Sequence, residues 1–210
     1  MSSTSESQLR SEKINPIALG VKLLDRVESL IPRLYKCLEK FVELDLAEIF
    51  DSLKRVMEDP LNIYLTFYHS IPVTGEKMDK TWHIKSITNA CTVKRPHPLF
   101  FTTETYIIFF PHLLYVSDEL LISVMAHEFT HILRDDERTA IFVEMSVQHQ
   151  CVDYRGDPFK EVVDAAKKVR RFVPYQVLDE ALYRRDPDVW NFLCEVRRYL
   201  KPIREYSGGE

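Results

Sequence analysis

The chain has 210 residues, of which 45% are hydrophobic and 29% charged, and this composition predicts a globular protein with a buried core. Its formal net charge of −4 argues against a protein that binds nucleic acid by bulk charge or a membrane surface, since such proteins usually carry a basic excess. The longest apolar runs fall well short of the ~20 residues that span a bilayer, so we expect no membrane segment.

The four cysteines lie far apart, at Cys37, Cys91, Cys151 and Cys194. They form no CxxC pair and no dense framework, which predicts reduced thiols and neither a zinc ribbon nor a disulfide scaffold. The polar residues 1–14 contain no apolar stretch like that of a secretory signal and are predicted to form a disordered tail. We therefore expect a soluble, cytoplasmic protein.

Residues 15–60 are predicted to form an N-terminal helical segment. Apolar residues recur at helical spacing from Pro16 onward, and proline is tolerated in the first turn of a helix. Pro32 is expected to interrupt this helix or to open a second one, and Asp59-Pro60 ends the pattern.

From Leu61 the apolar pattern changes to a period of two, which is typical of strands. Ile63, Leu65 and Phe67 alternate with less apolar neighbours. Proline and glycine separate the further runs of this type, so we expect a small mixed or antiparallel sheet with hairpin-like connections. Those further runs are residues 82–87, 91–94, 99–102 and 105–110.

After Pro111 the chain is predicted to be helical. Two helices, from Asp118 to about Arg134 and from Asp136 to about Gln150, complete a predicted core at residues 61–157. A C-terminal helical segment is expected over residues 158–205. Its helices are predicted at residues 159–172, 175–184 and 187–200. The expected fold class is therefore α+β, with helical segments on both sides of the core.

The helix after Ser117 carries two histidines and a glutamate in the order His127-Glu128-Phe129-Thr130-His131. Its other residues are apolar on nearly every side, which indicates a buried helix. Buried polar groups are costly without partners. Histidines at i and i+4 can each present a ring nitrogen to one ion at about 2.1 Å, and Glu128 can reach a water on that ion. These residues therefore predict a catalytic zinc site.

This motif, with the preceding stretch YIIFFPHLLYVSDELLISVMAHEFTHIL, resembles the zincin metallopeptidases, whose hallmark is HExxH. The resemblance covers roughly residues 99–150. It implies a zincin-like core with an edge strand, an active-site helix and a second helix that bears a third zinc ligand. It also implies hydrolysis of a peptide or protein substrate, with His127 and His131 as zinc ligands and Glu128 as the general base on a zinc-bound water.

The third ligand distinguishes the subclasses of this family. Metzincins continue the motif as HExxHxxGxxH, but this chain has Arg134 in place of the glycine and Glu137 in place of the third histidine. Gluzincins use a glutamate from a second helix, and Glu144 matches that description. The chain is thus similar to gluzincins, and in size to the minigluzincins. Many gluzincins place an aspartate four residues after that glutamate, where this chain has Gln148.

Helix geometry also favours Glu144. If the chain reverses near residues 134–136, a rise of about 1.5 Å per residue brings Glu144 alongside His127. By the same rise Glu137 is expected to lie too close to the turn, and His149 too far along the second helix. His149 is kept as the alternative third ligand.

Three residues that follow the second helix are candidates to donate a hydrogen bond to an oxyanion, namely His149, Tyr154 and Tyr175. A tyrosine in such a place is also often a packing residue. The strand at residues 105–110 is expected either to bind an extended peptide at a sheet edge, as the family's edge strand does, or to be an inner strand.

Two functions are consistent with these patterns. The first is a zinc-dependent peptidase, latent if its own N- or C-terminal helices block the site as in minigluzincins. The second is a catalytically inactive zincin-like protein with a binding or regulatory role. The presence of Glu128 favours the peptidase, because a purely structural zinc site has no need of a base.

Overall fold

The computed structural model describes residues 15–41, 47–78, 81–96 and 102–206. The predicted tail at residues 1–14 and most of the predicted strand at residues 99–102 lie outside these ranges. The described elements form an α+β fold with two small mixed sheets, which confirms the predicted fold class.

The helices are α1 (Pro16–Glu39), α2 (Ala47–Glu58), α3 (Asp118–Leu133), α4 (Glu137–Ser146), α5 (Pro158–Val169), α6 (Tyr175–Tyr183), α7 (Pro187–Glu195) and α8 (Ile203–Tyr206). The strands are β1 (Ile63–Phe67), β2 (Ile71–Met78), β3 (Thr81–Ile87), β4 (Ala90–Pro96), β5 (Thr103–Phe109), β6 (Phe172–Pro174) and β7 (Arg198–Tyr199). A 3₁₀ helix at Pro111–Tyr115 precedes α3, and a π-helical turn at Val147–Cys151 follows α4.

Helix α1 begins where the Asn15 side chain accepts a hydrogen bond from the Ile17 amide at 3.0 Å. It continues through Pro32, so the predicted interruption is wrong. Pro32 cannot donate a helix hydrogen bond, but the buried face that includes Ile31 and Leu34 continues across it. Burial of that face outweighs the missing bond.

The larger sheet has the strand order β4-β5-β1-β7. Strand β5 pairs antiparallel with β4 and parallel with β1, so the predicted strand at residues 105–110 is an inner one. Its alternative role at a peptide-binding edge is therefore wrong. Among the described strands, β4 and β7 occupy the two edges, and β4 lies against α3.

The smaller sheet has the order β3-β2-β6. Strand β2 was not predicted, because Pro72 and Gly75 are typical strand breakers. Gly75 has a φ of 147° beside an irregularity in the pairing with β3, and a Cβ there would lie 2.1 Å from the His83 carbonyl oxygen.

The segment predicted to be purely helical after residue 158 also contributes a short strand to each sheet. Strands β6 and β7 have three and two residues, too few to show any periodicity in the sequence. The two described flanking segments are thus tied to the central part, α1 by packing against α3 and the segment after residue 158 by strand pairing.

Cys37 of α1 and Cys151 of the π-helical turn form a disulfide, with Cα atoms 5.5 Å apart. The prediction of four reduced thiols is therefore wrong for this pair, while Cys91 and Cys194 are unpaired. The two bonded cysteines are 114 residues apart, so only the packing of the π-helical turn against α1 brings them together. Within the described ranges, we find no helix that combines the length and apolar content of a bilayer crossing.

Candidate metal centre

Helix α3 carries the HExxH motif in its last two turns. The Ser117 side chain caps its first turn, and Asp118 and Glu119 in that turn pair with Arg26 and Arg33 of α1 at 2.6 and 2.7 Å. The helix ends at Leu133 because Arg134 adopts an extended conformation. The motif therefore lies next to the point where the chain turns away.

The chain reverses over residues 134–136, which is the condition assumed in placing Glu144, and enters α4 at Glu137. The Asp136 side chain caps α4 by accepting a hydrogen bond from the Thr139 amide at 3.1 Å. The first turn of α4 thereby comes beside the last turn of α3, and Glu144 follows two turns later on the same side. Both glutamates line the cleft that His127 and His131 line.

The Nε2 atoms of His127 and His131 lie 3.2 Å apart. The carboxylate of Glu137 lies 3.5 Å from the first of these nitrogens and 3.3 Å from the second. The expectation that Glu137 lies too close to the turn is therefore wrong. Its backbone does lie at the turn, but its side chain extends back across the end of α3.

These separations fit a metal ion. Ligand atoms held by one tetrahedral ion at about 2.1 Å lie roughly 3.4 Å from one another. The three separations among His127, His131 and Glu137 match that value, and the donor set of two imidazoles and one carboxylate is one that zinc prefers in catalytic sites. The three residues therefore fit a divalent metal ion such as zinc.

Glu144 contacts the other nitrogen of the first histidine. The Nδ1 atom of His127 donates a hydrogen bond to Glu144 Oε2 at 2.9 Å. The Gln148 amide in turn donates to Glu144 Oε1 at 3.2 Å and to Ser123 Oγ at 3.0 Å. This chain of hydrogen bonds holds the His127 ring with its Nε2 toward His131 and Glu137.

Glu128 is buried, with 5% of its surface exposed. The Thr92 hydroxyl of β4 donates to Glu128 Oε2 at 2.8 Å and contacts the Glu128 carbonyl oxygen at 3.0 Å. Burial raises the pKa of Glu128 to about 7, although nearby His127 and the Thr92 hydrogen bond lower it. A carboxylate with a pKa in this range can both take and return a proton near neutral pH.

The electrostatic balance of the cluster favours a cation. Burial alone would lower the pKa of His127, but the hydrogen bond to Glu144 and the charges of Glu128 and Glu137 raise it above its ordinary value. Three carboxylates thus surround two histidines, and a divalent ion would neutralise much of this negative charge.

The cluster opens into a cleft of about 500 Å³. Tyr175, the first residue of α6, lines this cleft, so one of the predicted oxyanion donors does reach the site. Burial, followed by the charge of Asp179, raises the pKa of Tyr175, and the hydroxyl is also hydrogen-bonded to Asp179, so it would have to turn from that carboxylate to donate into the cleft.

The other two candidates lie elsewhere. Tyr154 does not line the cleft, and its hydroxyl donates to Glu161 at 2.7 Å. His149 is exposed on the π-helical turn and also does not line the cleft. The structure therefore supports neither Tyr154 as an oxyanion donor nor His149 as a ligand or donor.

A second cleft of about 490 Å³ adjoins the first and follows the edge strand β4. The two clefts share five lining residues, namely Thr88, Cys91, Thr92, Asp135 and Tyr175. Apolar side chains from β4 and from α6 and α7 contribute to the walls of the second cleft, among them Val93, Leu178, Leu182 and Trp190. Together the clefts form a continuous depression along β4.

Sequence reasoning set Glu137 aside and missed Thr92 altogether. Glu137 stands six residues after His131, where metzincins have their third ligand, and only the expected closeness to the turn spoke against it. Thr92 lies 36 residues before Glu128, and nothing in its local sequence marks it.

Comparisons with protein-family models, with curated proteins and with solved structures found no match to this chain. The resemblance to zincins therefore depends on the HExxH motif and its sequence context, and the case for a metal centre depends on the geometry of His127, His131 and Glu137.

Proposed function

We propose that this protein is a zinc-dependent metallopeptidase. The observation that carries the proposal is the mutual spacing of the two Nε2 atoms and the Glu137 carboxylate, between 3.2 and 3.5 Å, beside the buried Glu128 in an open cleft. A purely structural zinc site is usually closed by four protein ligands and has no need of a buried base. This arrangement has three candidate ligands and such a base.

The proposed ligands are His127, His131 and Glu137. Glu144, which the sequence favours as the third ligand, is assigned a positioning role, because it bonds Nδ1 of His127 at 2.9 Å. Carboxylates in that position orient a ligating histidine and raise its basicity. The alternative set has Glu144 in place of Glu137, and the two sets differ in which substitution removes a metal ligand.

The chemistry follows from the positions of the side chains. A bound zinc ion would polarise the scissile carbonyl and lower the pKa of a bound water. Glu128, held by Thr92, would accept a proton from the attacking water and return it to the leaving amine. Tyr175 is the proposed donor to the developing oxyanion, since it lines the same cleft.

The proposed substrate is an extended peptide segment. Strand β4 lies at a sheet edge among the described strands and lines both clefts, so a peptide can add to it as a further strand. The apolar walls of the second cleft would accept large apolar side chains of that peptide.

The proposal is tested by metal analysis and peptidase assays on untagged protein. We expect about one zinc per chain and cleavage of peptides from a broad panel. The isosteric substitution Glu128→Gln is expected to lower kcat at least a hundredfold while zinc is retained. Glu48→Gln on α2 is a matched control and should leave both values unchanged. Equal inactivity of wild type and Glu128→Gln would instead support the non-catalytic zincin-like alternative.

The ligand assignment is tested by two single substitutions. Glu137→Gln should weaken zinc affinity more than a hundredfold and change the visible spectrum of the cobalt-substituted protein, because a ligand is lost. Glu144→Gln should weaken affinity roughly 10- to 100-fold and leave the cobalt coordination number unchanged. The opposite order of effects would assign Glu144 as the ligand.

The packing restricts which segment of the chain could block the first cleft and so inhibit the protein. The described residues that line the first cleft include none from α1 or α2, whereas the C-terminal segment contributes Tyr175. Helix α1 contributes many fully buried side chains to the core, so removal of residues 1–60 is expected to unfold the protein. Any blocking role is therefore proposed for the C-terminal segment alone.

A further inference from the structure

A third depression lies far from the HExxH motif in sequence and shares no lining residue with the first cleft. It is a groove of about 1280 Å³ between the edge strand β3 and one face of α5. The α5 residues Phe159, Val163 and Lys167 recur at helical spacing and form one wall. Residues of the β2–β3 hairpin form the other.

The lining of this groove is strongly basic. It contains five cationic side chains, namely Lys77, Lys85, Lys167, Arg170 and Arg171, together with His69 and His83. No Asp or Glu is among the described residues that line it. The chain as a whole carries a net charge of −4, so this is a local concentration of positive charge on an acidic protein.

Two of the lysines have acidic neighbours outside the groove. Lys85 lies 3.7 Å from Glu76, and Lys167 lies 2.9 Å from Asp164. All four side chains in these pairs are more than half exposed, so solvent and salt weaken both pairs. The lysines therefore stay available to an anionic ligand.

Aromatic rings lie among the cationic groups. Phe159 is 55% exposed, an unusual exposure for a large apolar side chain in a basic surface. Trp82 and Phe172 are partly buried, with ring centroids 6.4 Å apart. The groove thus offers three aromatic rings within a frame of lysines and arginines.

We propose that this groove binds single-stranded nucleic acid. Cationic side chains along a groove track a phosphate backbone, and rings that line it, exposed as for Phe159 or partly so as for Trp82 and Phe172, stack on unpaired bases. An acidic peptide would pair with the lysines, but a single-stranded nucleic acid carries a planar base beside every phosphate and so matches the interleaved cationic and aromatic groups more closely than an acidic protein partner. The net negative charge of the chain argues only against binding of nucleic acid over the whole surface. A local basic groove is compatible with it.

The proposal predicts a defined salt dependence. Binding to single strands weakens with a log–log slope of about 0.7 per phosphate contact, so four or five contacts give a slope of about 3 and a roughly 60-fold rise in Kd between 50 and 200 mM salt. The inference does not rest on peptidase activity or on bound metal.

The experiment uses the full chain and a fluorescein-labelled 15-nucleotide oligo(dT). We expect saturable binding in fluorescence anisotropy with the salt dependence given above. Trp82 fluorescence should be quenched on binding, whereas the other tryptophan, Trp190, is buried and should not respond. Trp82→Phe should remove the quenching and keep binding within a fewfold, because phenylalanine still stacks.

The matched variants remove three lysines each. The combined change Lys77→Ala, Lys85→Ala and Lys167→Ala is expected to weaken binding at least tenfold. The control change Lys22→Ala, Lys36→Ala and Lys201→Ala alters net charge equally at exposed positions outside the groove and should change Kd less than twofold.

Equal loss in the two triple variants would overturn the assignment, since it would show binding by net charge alone. Absence of tryptophan quenching would also overturn it. If poly-glutamate binds to the groove and oligo(dT) does not, the ligand of the groove is an acidic protein partner and the nucleic-acid assignment is wrong.

Discussion

At the scale of single residues, the candidate centre illustrates how buried polar groups obtain partners. His127 lies on a helix whose neighbouring side chains are apolar, and burying an unpaired imidazole there would be unfavourable. The chain of bonds from Ser123 through Gln148 and Glu144 satisfies its Nδ1 atom. The Nε2 atom is thereby left to face His131 and Glu137.

Gln148 is the residue that holds Glu144 in place, so Gln148→Met should affect the metal site without removing a ligand. We expect zinc affinity to fall about tenfold, since partners in this position typically contribute 10- to 100-fold. Chelator competition measures the change. Gln150→Met, an exposed position on the same π-helical turn, is the control and should leave affinity unchanged. An unaltered affinity for Gln148→Met would contradict the positioning role.

A second prediction concerns His112 of the 3₁₀ helix, which is fully buried and contacts Asn89 Oδ1 at 3.0 Å. Burial lowers the pKa of His112 from 6.5 to about 3. The unfolded chain therefore binds a proton that the folded chain does not, and the stability contributed by neutral His112 is present above pH 6.5 and is lost as the pH falls toward 3.

Substitution by the non-titrating His112→Gln should flatten this dependence. Between pH 6 and 4 the free energy of unfolding of the wild type should fall by about 1.4 kcal/mol per pH unit more than that of the variant. Urea unfolding at several pH values measures it. The control His149→Gln, at an exposed position, should show the same dependence of the free energy of unfolding on pH as the wild type. Parallel curves for His112→Gln would show that His112 is not buried in a neutral form.

At the scale of elements, the disulfide links the long helix α1 to the π-helical turn that carries Gln148. It closes a loop between residues 114 positions apart, and in the chain-entropy model a loop of that length stabilises the fold by roughly 4 to 5 kcal/mol. The bond also connects α1 to the segment that supports Glu144.

The double change Cys37→Ser and Cys151→Ser should therefore lower the free energy of unfolding by roughly 4 to 5 kcal/mol, measured by chemical denaturation. Dithiothreitol should lower the Tm of the wild type and leave that of the double variant unchanged. A wild type that is insensitive to dithiothreitol under denaturing scans would argue against the disulfide. Disulfides of this kind are more usual in oxidising compartments, and the cytoplasmic location stays a prediction.

At the scale of the whole molecule, the centre draws on elements distant in sequence. Helix α3 supplies the motif, α4 the two glutamates, β4 Thr92 and α6 Tyr175. A metal ion bound there would therefore connect parts of the structure that must all be folded, and binding of this kind raises the stability of the folded state.

Removal of metal should accordingly lower the Tm of the full chain. With zinc at about a thousandfold excess over Kd, the stabilisation is about 4 kcal/mol, which corresponds to a shift of roughly 10 °C for a chain of this size. Differential scanning calorimetry with zinc and with chelator measures the shift. Glu137→Gln should show little or no shift, whereas an unchanged Tm of the wild type on chelation would contradict a bound metal.

Local sequence patterns were enough to predict the α+β class, the buried helix α3 and the shared face of His127 and His131. These features depend on local periodicity and helix geometry, which neighbouring residues specify.

Long-range packing of the folded chain set the features that local spacing cannot specify. It brought the Glu137 side chain back across the end of α3, placed Glu144 at the Nδ1 atom of His127 and put Thr92 beside Glu128. It also made β5 an inner strand and joined Cys37 to Cys151. The physical reason is the same in each case. The reach of a side chain after a turn, and the pairing of segments many residues apart, depend on backbone conformation and packing that no local pattern specifies.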